Sequence, residues 1–227
     1  MSEQRAAFFD VDGTLTPANT WNLLLEHPRL GQAAKRAVIV RSLPVWLAVK
    51  LRVKEETDFR QVWVRAVAHN FAGWSRSELD EVFTYVVNEQ VADQLRGDVV
   101  ERLRDHLDRG DHVVLVSGMY QGMVQAFARR LGAHGAVGSP LAFDGDTCVG
   151  PANEPGCIGP HKLVFLKRYL REKNLSPDFG RSFAYADSLS DLPLLSSVGF
   201  PVATYPEREL LVYARNKKWE VLGVAPA

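Results

Sequence analysis

The sequence predicts an α/β fold: a parallel sheet whose chain is interrupted, just after the first strand, by an inserted α-helical segment. Three observations predict it. From residue 96 onward, short β-branched runs alternate with segments of helical period that end in glycine, the pattern of strands joined by crossover helices. Residues 17–95 carry helical patterns and little strand signal. Three of the predicted strands end directly in acidic or hydroxyl residues, which is where open α/β sheets place their ligands.

The elements follow in order. AAFFDV (6–11) is a short continuous apolar run and reads as a buried strand. The segment 29–54 reads as a helix pair broken near Pro44, and ETDFRQVWVRAVAHNFAG (56–73) and SRSELDEVFTYVVNEQV (75–91) read as further helices. DVVERLRDHLDRG (98–110) reads as a helix capped by Asp98 and stopped by Gly110. HVVLVS (112–117) is a buried strand, and YQGMVQAFARRLG (120–132) the helix after it. In LAFDGDTCVG (141–150), Asp-Gly between alternating residues signals a hairpin. HKLVFLKRYLREKN (161–174) reads as a helix, SFAYAD (182–187) as a strand, DLPLLSSVG (191–199) as a short helix and FPVA (200–203) as a strand. The expected organisation is a core domain of residues 1–16 and 96–227, with a helical domain of residues 17–95 inserted into it.

Composition bounds the function. The chain has 227 residues, 46% of them hydrophobic, enough for a sizeable core. Lys plus Arg and Asp plus Glu are both 27, so overall charge does not argue for a nucleic-acid partner. The N-terminus MSEQRAAFF lacks the basic and apolar regions of a signal peptide, and no stretch is apolar for long enough to span a bilayer. Cys148 and Cys157 are too few for a disulfide framework and read as buried or free thiols. A cytoplasmic location is expected. Nothing in the sequence specifies an oligomeric state.

The stretch FFDVDGTLT sends an apolar run straight into Asp10 and Asp12, then Gly13 and Thr14. Like charges that close repel, and burying either without a partner costs several kcal/mol or more. Partners appear at the other strand ends: Ser117-Gly118 after HVVLV, followed by a predicted helix N-terminus, and Asp187, Ser188 and Asp191 after SFAYA. Lys162 sits near the start of a helix. Each residue alone has a plain explanation as a turn, a cap or a solvated side chain. The same coincidence at three strand ends does not.

DVDGT (10–14), SG (117–118), Lys162 and DSLSD (187–191) resemble, in order and spacing, the four motifs of the haloacid dehalogenase superfamily. YADSLSDLPLL and CIGPHK are most similar to its subfamily IB, which contains phosphoserine phosphatase. The resemblance implies a Rossmann-like core with an inserted C1 cap, and a Mg²⁺-dependent phosphatase that cleaves a small phosphomonoester through an aspartyl-phosphate. It implies Asp10 as nucleophile, Asp12 as general acid and base, and catalytic roles for Ser117 and Lys162. Thr14, Ser117, Gly118 and Lys162 would bind substrate. Asp10, Asp187, Asp191 and the Asp12 backbone carbonyl would serve the metal.

The cap departs from phosphoserine phosphatase. That enzyme has a glutamate for the substrate ammonium nine residues after its nucleophile, whereas Asn19 stands here, which disfavours phosphoserine. It also usually has a serine where this chain has Gly13. Arg60 and Arg65 are candidates for its cap arginine, and Trp63, His69 and Trp74 read as packing residues. A phosphomutase or phosphotransferase sharing the intermediate is the alternative enzyme. Segment 29–54 carries Arg29, Lys35, Arg36, Arg41, Lys50, Arg52 and Lys54 with no acidic residue. Three readings fit it: cap helices with the apolar side packed and the basic side solvated, which is favoured; steering of an anionic substrate; or binding to an anionic membrane.

Overall fold

The computed structural model describes residues 5–223. The outermost parts of the expected core segments, 1–4 and 224–227, lie outside the described residues, as does the start of the N-terminal stretch MSEQRAAFF. Strand β1 (Ala6–Phe9) leads into helices α1 (Thr20–Glu26), α2 (Gly31–Lys50), α3 (Glu56–Ala68) and α4 (Arg76–Tyr85), the last continuing as a π-helical turn at Val86–Val91. The alternation then begins: α5 (Gly97–Asp108), β2 (His112–Tyr120), α6 (Gln121–Leu131) and β3 (Gly135–Ser139). A hairpin of β4 (Leu141–Asp144) and β5 (Thr147–Pro151) precedes α7 (Pro160–Glu172), β6 (Phe183–Ala186), α8 (Leu192–Leu195), β7 (Phe200–Thr204), α9 (Arg208–Lys217) and β8 (Glu220–Leu222).

Six strands form one parallel sheet in the order β3-β2-β1-β6-β7-β8. The chain moves outward on one side of β1 and then returns to build the other side, so the switch point lies at β1. Phe9 pairs with Leu115 on one flank and Tyr185 on the other. That register, run on by two residues, brings Val11, Ser117 and Asp187 level at the carboxyl edge. A parallel sheet must be covered on both faces. Ala7 and Phe9 face one buried cluster, and Ala6 and Phe8 face another with Leu166, Leu194 and Leu210 from the helices beneath.

The first cluster does not stop at the sheet. It runs through Phe9 and Leu115 into Leu24, Val67, Phe71 and Phe83 of the helical segment. Backbone bonds add to the apolar contact: the Gly73 amide donates to the Cys148 carbonyl (2.8 Å), and the Cys148 amide to the Trp74 carbonyl (2.7 Å). The Gln61 side chain both donates to and accepts from Gly156, at 3.1 and 2.7 Å.

Several expectations change. Helix α5 begins at Gly97 with Arg96 in the cap position, so Asp98 is not the cap; its carboxylate accepts from the Tyr205 hydroxyl (2.9 Å). Pro44 does not break α2, which runs 20 residues through it. The apolar side of α2 is only partly packed: Val38 is buried while Leu43, Trp46 and Leu47 are exposed. Strand β2 continues to Tyr120, past the expected end at Ser117. Strands β3 and β8 and helix α9 were not anticipated. GAVGS is too rich in glycine to signal a strand, and the other two lie beyond Ala203, where the legible pattern ended.

One polar network is sealed inside. His106 Nδ1 lies 2.8 Å from Asp111 Oδ2 and its Nε2 lies 2.8 Å from the Tyr185 hydroxyl, while Arg5 Nε donates to Asp111 Oδ1 at 2.9 Å. Burial lowers the His106 pKa, against the pull of Asp111. Tyr185→Phe keeps the ring stacked on Phe9 but orphans His106 Nε2. We expect a loss of about 1–3 kcal/mol, read as a lower urea midpoint at unchanged slope. An unchanged midpoint would show that the bond carries no net stability.

Candidate active site

Asp10 is the first residue beyond β1, its amide still donating to the Tyr185 carbonyl (2.9 Å). The chain then turns tightly, with the Thr14, Leu15 and Thr16 amides all reaching back to the Val11 carbonyl. Gly13 sits in that turn at φ +80°, and a Cβ there would lie 2.1 Å from Asp187 Oδ2. Only glycine satisfies both the conformation and the close approach. The buried Thr14 hydroxyl donates to Asp187 Oδ1 (3.1 Å), fixing the end of β6 against the end of β1.

The carboxylates divide into two environments. Asp10, Asp187 and Asp191 each offer an oxygen, and these oxygens lie within 4.8 Å of one another. Lys162, buried near the start of α7, sits 2.7 Å from both Asp10 Oδ1 and Asp191 Oδ2. The second oxygen of Asp191, Oδ1, is buried with no hydrogen-bond partner. Burial raises the carboxyl of Asp187 to about 6, with Asp191 adding to the rise, and that of Asp191 to about 6 against Lys162. Burial likewise raises Asp10 against the pull of Lys162. Burial opposes charge on the Lys162 ammonium, yet Asp10 and Asp191 outweigh it and hold its pKa above the usual lysine value.

Asp12 stands apart from that cluster. Its Oδ2 accepts from the Thr20 hydroxyl (2.8 Å) and its Oδ1 from the Thr20 amide (3.4 Å), so it is held by the first turn of α1. Burial pushes its carboxyl up to about 7, partly offset by the Thr20 hydroxyl.

Ser117 and Gly118 lie within β2 rather than at a helix start: the ladder to β3 shifts register after Val116 and resumes at Tyr120, opposite Ser139. The Ser139 hydroxyl holds the Gly118 carbonyl at 2.6 Å. Both residues line a cavity of about 520 Å³ together with Asp10, Asp12, Lys162, Asp187 and Asp191. Its opposite wall is helical and includes Asn19, Trp21, Phe59, Arg60 and Trp63. Trp63 therefore does more than pack. Trp74 does pack, edge-on to Phe71 at 5.6 Å, whereas His69 is exposed. Arg60 reaches the cavity and pairs with Glu56 at 2.7 Å; Arg65 instead donates to the Ala152 carbonyl. Asn19 caps α1, its side chain accepting from the Asn22 amide. Cys148 and Cys157 are free and buried, and burial pushes the Cys157 thiol up to about 12.

Three contributors had no signal in the sequence. Arg96 donates to the Gly13 and Thr14 carbonyls and lies flat over the Tyr205 ring, 3.7 Å from its centroid. Glu207 accepts from the Leu189 amide (2.6 Å) and the Ser188 hydroxyl (3.2 Å), holding the loop that carries Asp187 and Asp191. Thr20 positions Asp12. None belongs to a short motif; each acts through contacts between segments distant in the chain or, for Thr20, across a turn.

The chain is similar to known proteins in sequence and in fold. The chain is 29% identical over 220 residues to phosphoserine phosphatase SerB1 of Mycobacterium tuberculosis, an alignment covering 95% of this chain and 70% of that protein. Its fold is similar to that of a Bordetella pertussis Tohama I protein of unknown function (TM-score 0.80, 22% identity, 98% and 99% of the two chains covered). It is also similar to a substrate-bound phosphoserine phosphatase (TM-score 0.60, 14% identity, 98% and 94% covered). No helix among the described residues is long and apolar enough to cross a membrane. Residues 7–196, which carry every motif residue at the carboxyl edge of the sheet, match one family, and the chain belongs to it: the haloacid dehalogenase-like hydrolases.

Proposed function

We propose that this hydrolase is a Mg²⁺-dependent phosphatase that cleaves a small or medium phosphomonoester through an aspartyl-phosphate on Asp10, with residues 17–95 acting as a cap over the site. The observation that carries the reading is the division of the carboxylates. Asp10 converges with Asp187, Asp191 and Lys162, while Asp12, two residues on, is held apart by Thr20 with its pKa near neutrality.

The cluster fits a divalent cation. Three carboxylates against one ammonium leave two negative charges (−3 + 1 = −2). Burial already holds Asp187 and Asp191 above the usual carboxylate range, and the orphaned Asp191 Oδ1 leaves an acceptor for a further ligand of the site. Asp10, Asp187 and the Asp12 backbone carbonyl would hold Mg²⁺ directly, with Asp191 supporting the shell through water. When bound, the ion neutralises the cluster and offsets the repulsion between Asp10 and an anionic phosphate.

In the first step an Asp10 oxygen bonds to phosphorus as the ester P–O bond breaks, and Asp12 passes its proton to the departing alkoxide. Asp12, now ionised, then takes a proton from water as that water attacks the acyl phosphate, releasing phosphate and restoring Asp10. A carboxyl poised at about 7 suits both tasks. Ser117, the Gly118 amide and Lys162 are assigned to the phosphoryl group, Lys162 by charge and the others by position, whereas Thr14, expected there from the sequence, is fully buried with its hydroxyl committed to Asp187 and does not line the cavity. Trp21, Phe59 and Trp63 give the leaving group an aromatic wall, and no carboxylate stands at Asn19 to meet a phosphoserine ammonium.

Phosphate release from a panel of phosphomonoesters, with and without Mg²⁺, tests the reading. Asp10→Asn should abolish release and so should chelation of the metal; release that survives either would remove the assignment. Thr20→Val keeps the side-chain shape but removes the donor to Asp12, and should lower kcat by about tenfold or more with KM little changed. Gly13→Ala drives a methyl into Asp187 and should lower kcat/KM at least about a hundredfold. Exchange of phosphate between acceptors, with little released to water, would identify a transferase or mutase instead.

A further inference from the structure

Helix α2 has two apolar faces and only one of them is covered. Val38 and Ser42 are buried on the inner side, where α2 packs along α3. On the outer side Ile39, Val40, Leu43, Trp46 and Leu47 recur at i, i+1, i+4, i+7 and i+8, a single helical stripe, each between 42 and 70% exposed. A helix that is apolar all round is ordinarily enclosed on all sides. A contiguous exposed patch of this kind marks an interaction site.

The charge around the stripe indicates its partner. Arg36 lies one turn before the stripe and Lys50 one turn after it, and Arg52 and Lys54 follow the helix, whereas Arg41 lies on the other side of α2, within charge range of His69. No acidic residue occurs between Glu26 and Glu55, in a chain whose acids and bases balance overall. Arg29 and Lys35 are paired, with Glu81 and Glu26. Among the described residues, no carboxylate lies within ion-pair reach of Arg36, Arg41, Lys50, Arg52 or Lys54. Long basic side chains can keep their charge at a headgroup while apolar neighbours and a Trp insert beside them. A second copy of this helix would bring the same cations face to face.

We propose that the outer face of α2 docks the protein on an anionic lipid bilayer, lying in the interface rather than crossing it. The site opens beneath the same helix pair: Phe59, Arg60 and Trp63, from α3, line the cavity. The bilayer would therefore lie on the far side of α2 from α3, the helix that lines the cavity. Docking does not depend on the phosphatase reading, and Asp10→Asn protein should bind as the native protein does.

Co-sedimentation of the full chain with vesicles decides it. Phosphatidylcholine vesicles carrying about a third phosphatidylglycerol should bind at low salt and more weakly at about 0.15 M, and pure phosphatidylcholine should bind at least about tenfold less. Arg36→Gln/Lys50→Gln and Leu43→Asn/Leu47→Asn should each lose about tenfold in binding, with soluble-substrate hydrolysis and thermal midpoint unchanged. Trp46→Phe should remove most of the fluorescence blue shift on vesicle addition. No binding of folded native protein to anionic vesicles at low salt overturns the inference. So does binding that ignores both double variants, or a dimer in solution that Leu43→Asn/Leu47→Asn dissolves while vesicles bind nothing.

Discussion

The structure turns on one costly arrangement: three carboxylates drawn together beneath a cavity, with the Lys162 ammonium in direct contact with two of them. Burial alone would push such groups toward their neutral forms, and the raised pKa values of Asp10, Asp187 and Asp191 express that tendency. Much of what surrounds the cluster opposes relaxation. Gly13 lets the β1 turn press against Asp187, Thr14 hydrogen-bonds it, Arg96 ties down the turn, and Glu207 holds the loop from the other side. The parallel sheet supplies the rigidity, since β1 is flanked by β2 and β6 and buried on both faces. A site of this kind needs side chains whose positions are over-determined, because its groups repel one another until a cation and substrate arrive.

The helical segment lines the cavity and also reaches one of its carboxylates. Asp12 leaves the cluster because Thr20, at the start of α1, offers it two donors. The position of the Asp12 carboxylate is thereby coupled to α1. That helix shares its apolar core with the sheet through Leu24 and Phe9, so the insertion is no loosely tethered lid. The hairpin bonds at Gly73, Trp74 and Cys148 work in the same direction. A motion that opened the cavity would disturb Asp12 at the same time, which under the proposed mechanism would link access to the cavity with proton transfer.

The sequence was most legible where physical constraints are local. Apolar runs ending in Asp10, Ser117 and Asp187 exposed both the strands and the edge that carries the site, because a buried parallel strand cannot hold a charge until it leaves the sheet. Lys162 and Asp191 were legible through motif spacing, and Gly13 through turn chemistry. Arg96 and Glu207 were not, since each is an ordinary charged residue whose role comes from a contact across the fold. GAVGS failed to signal β3 because its pairing with β2, not its composition, makes it a strand. The expected break at Pro44 failed for the opposite reason. The carbonyl that Pro44 leaves without a helical donor belongs to Val40, an exposed residue, and packing on α3 carries the helix past a residue that would end an isolated one.

The basic helix is where sequence and structure disagree most usefully. Charge alone could be assigned to steering an anionic substrate toward the cavity, and steering acts over a Debye length with no need of contact. Steering, however, requires nothing of Ile39, Val40, Leu43, Trp46 and Leu47, and a polar outer face would perform it as well. The favoured reading of the sequence had the apolar side packed, and only half of that is so: the inner seam is spent on α3, and a second apolar stripe faces outward among unpaired cations. A surface that carries both features needs a partner that offers both anions and hydrocarbon. An anionic bilayer offers them in one plane. The chain's neutral overall charge means that this attraction would orient the molecule, with α2 toward the lipid, rather than merely concentrate it there.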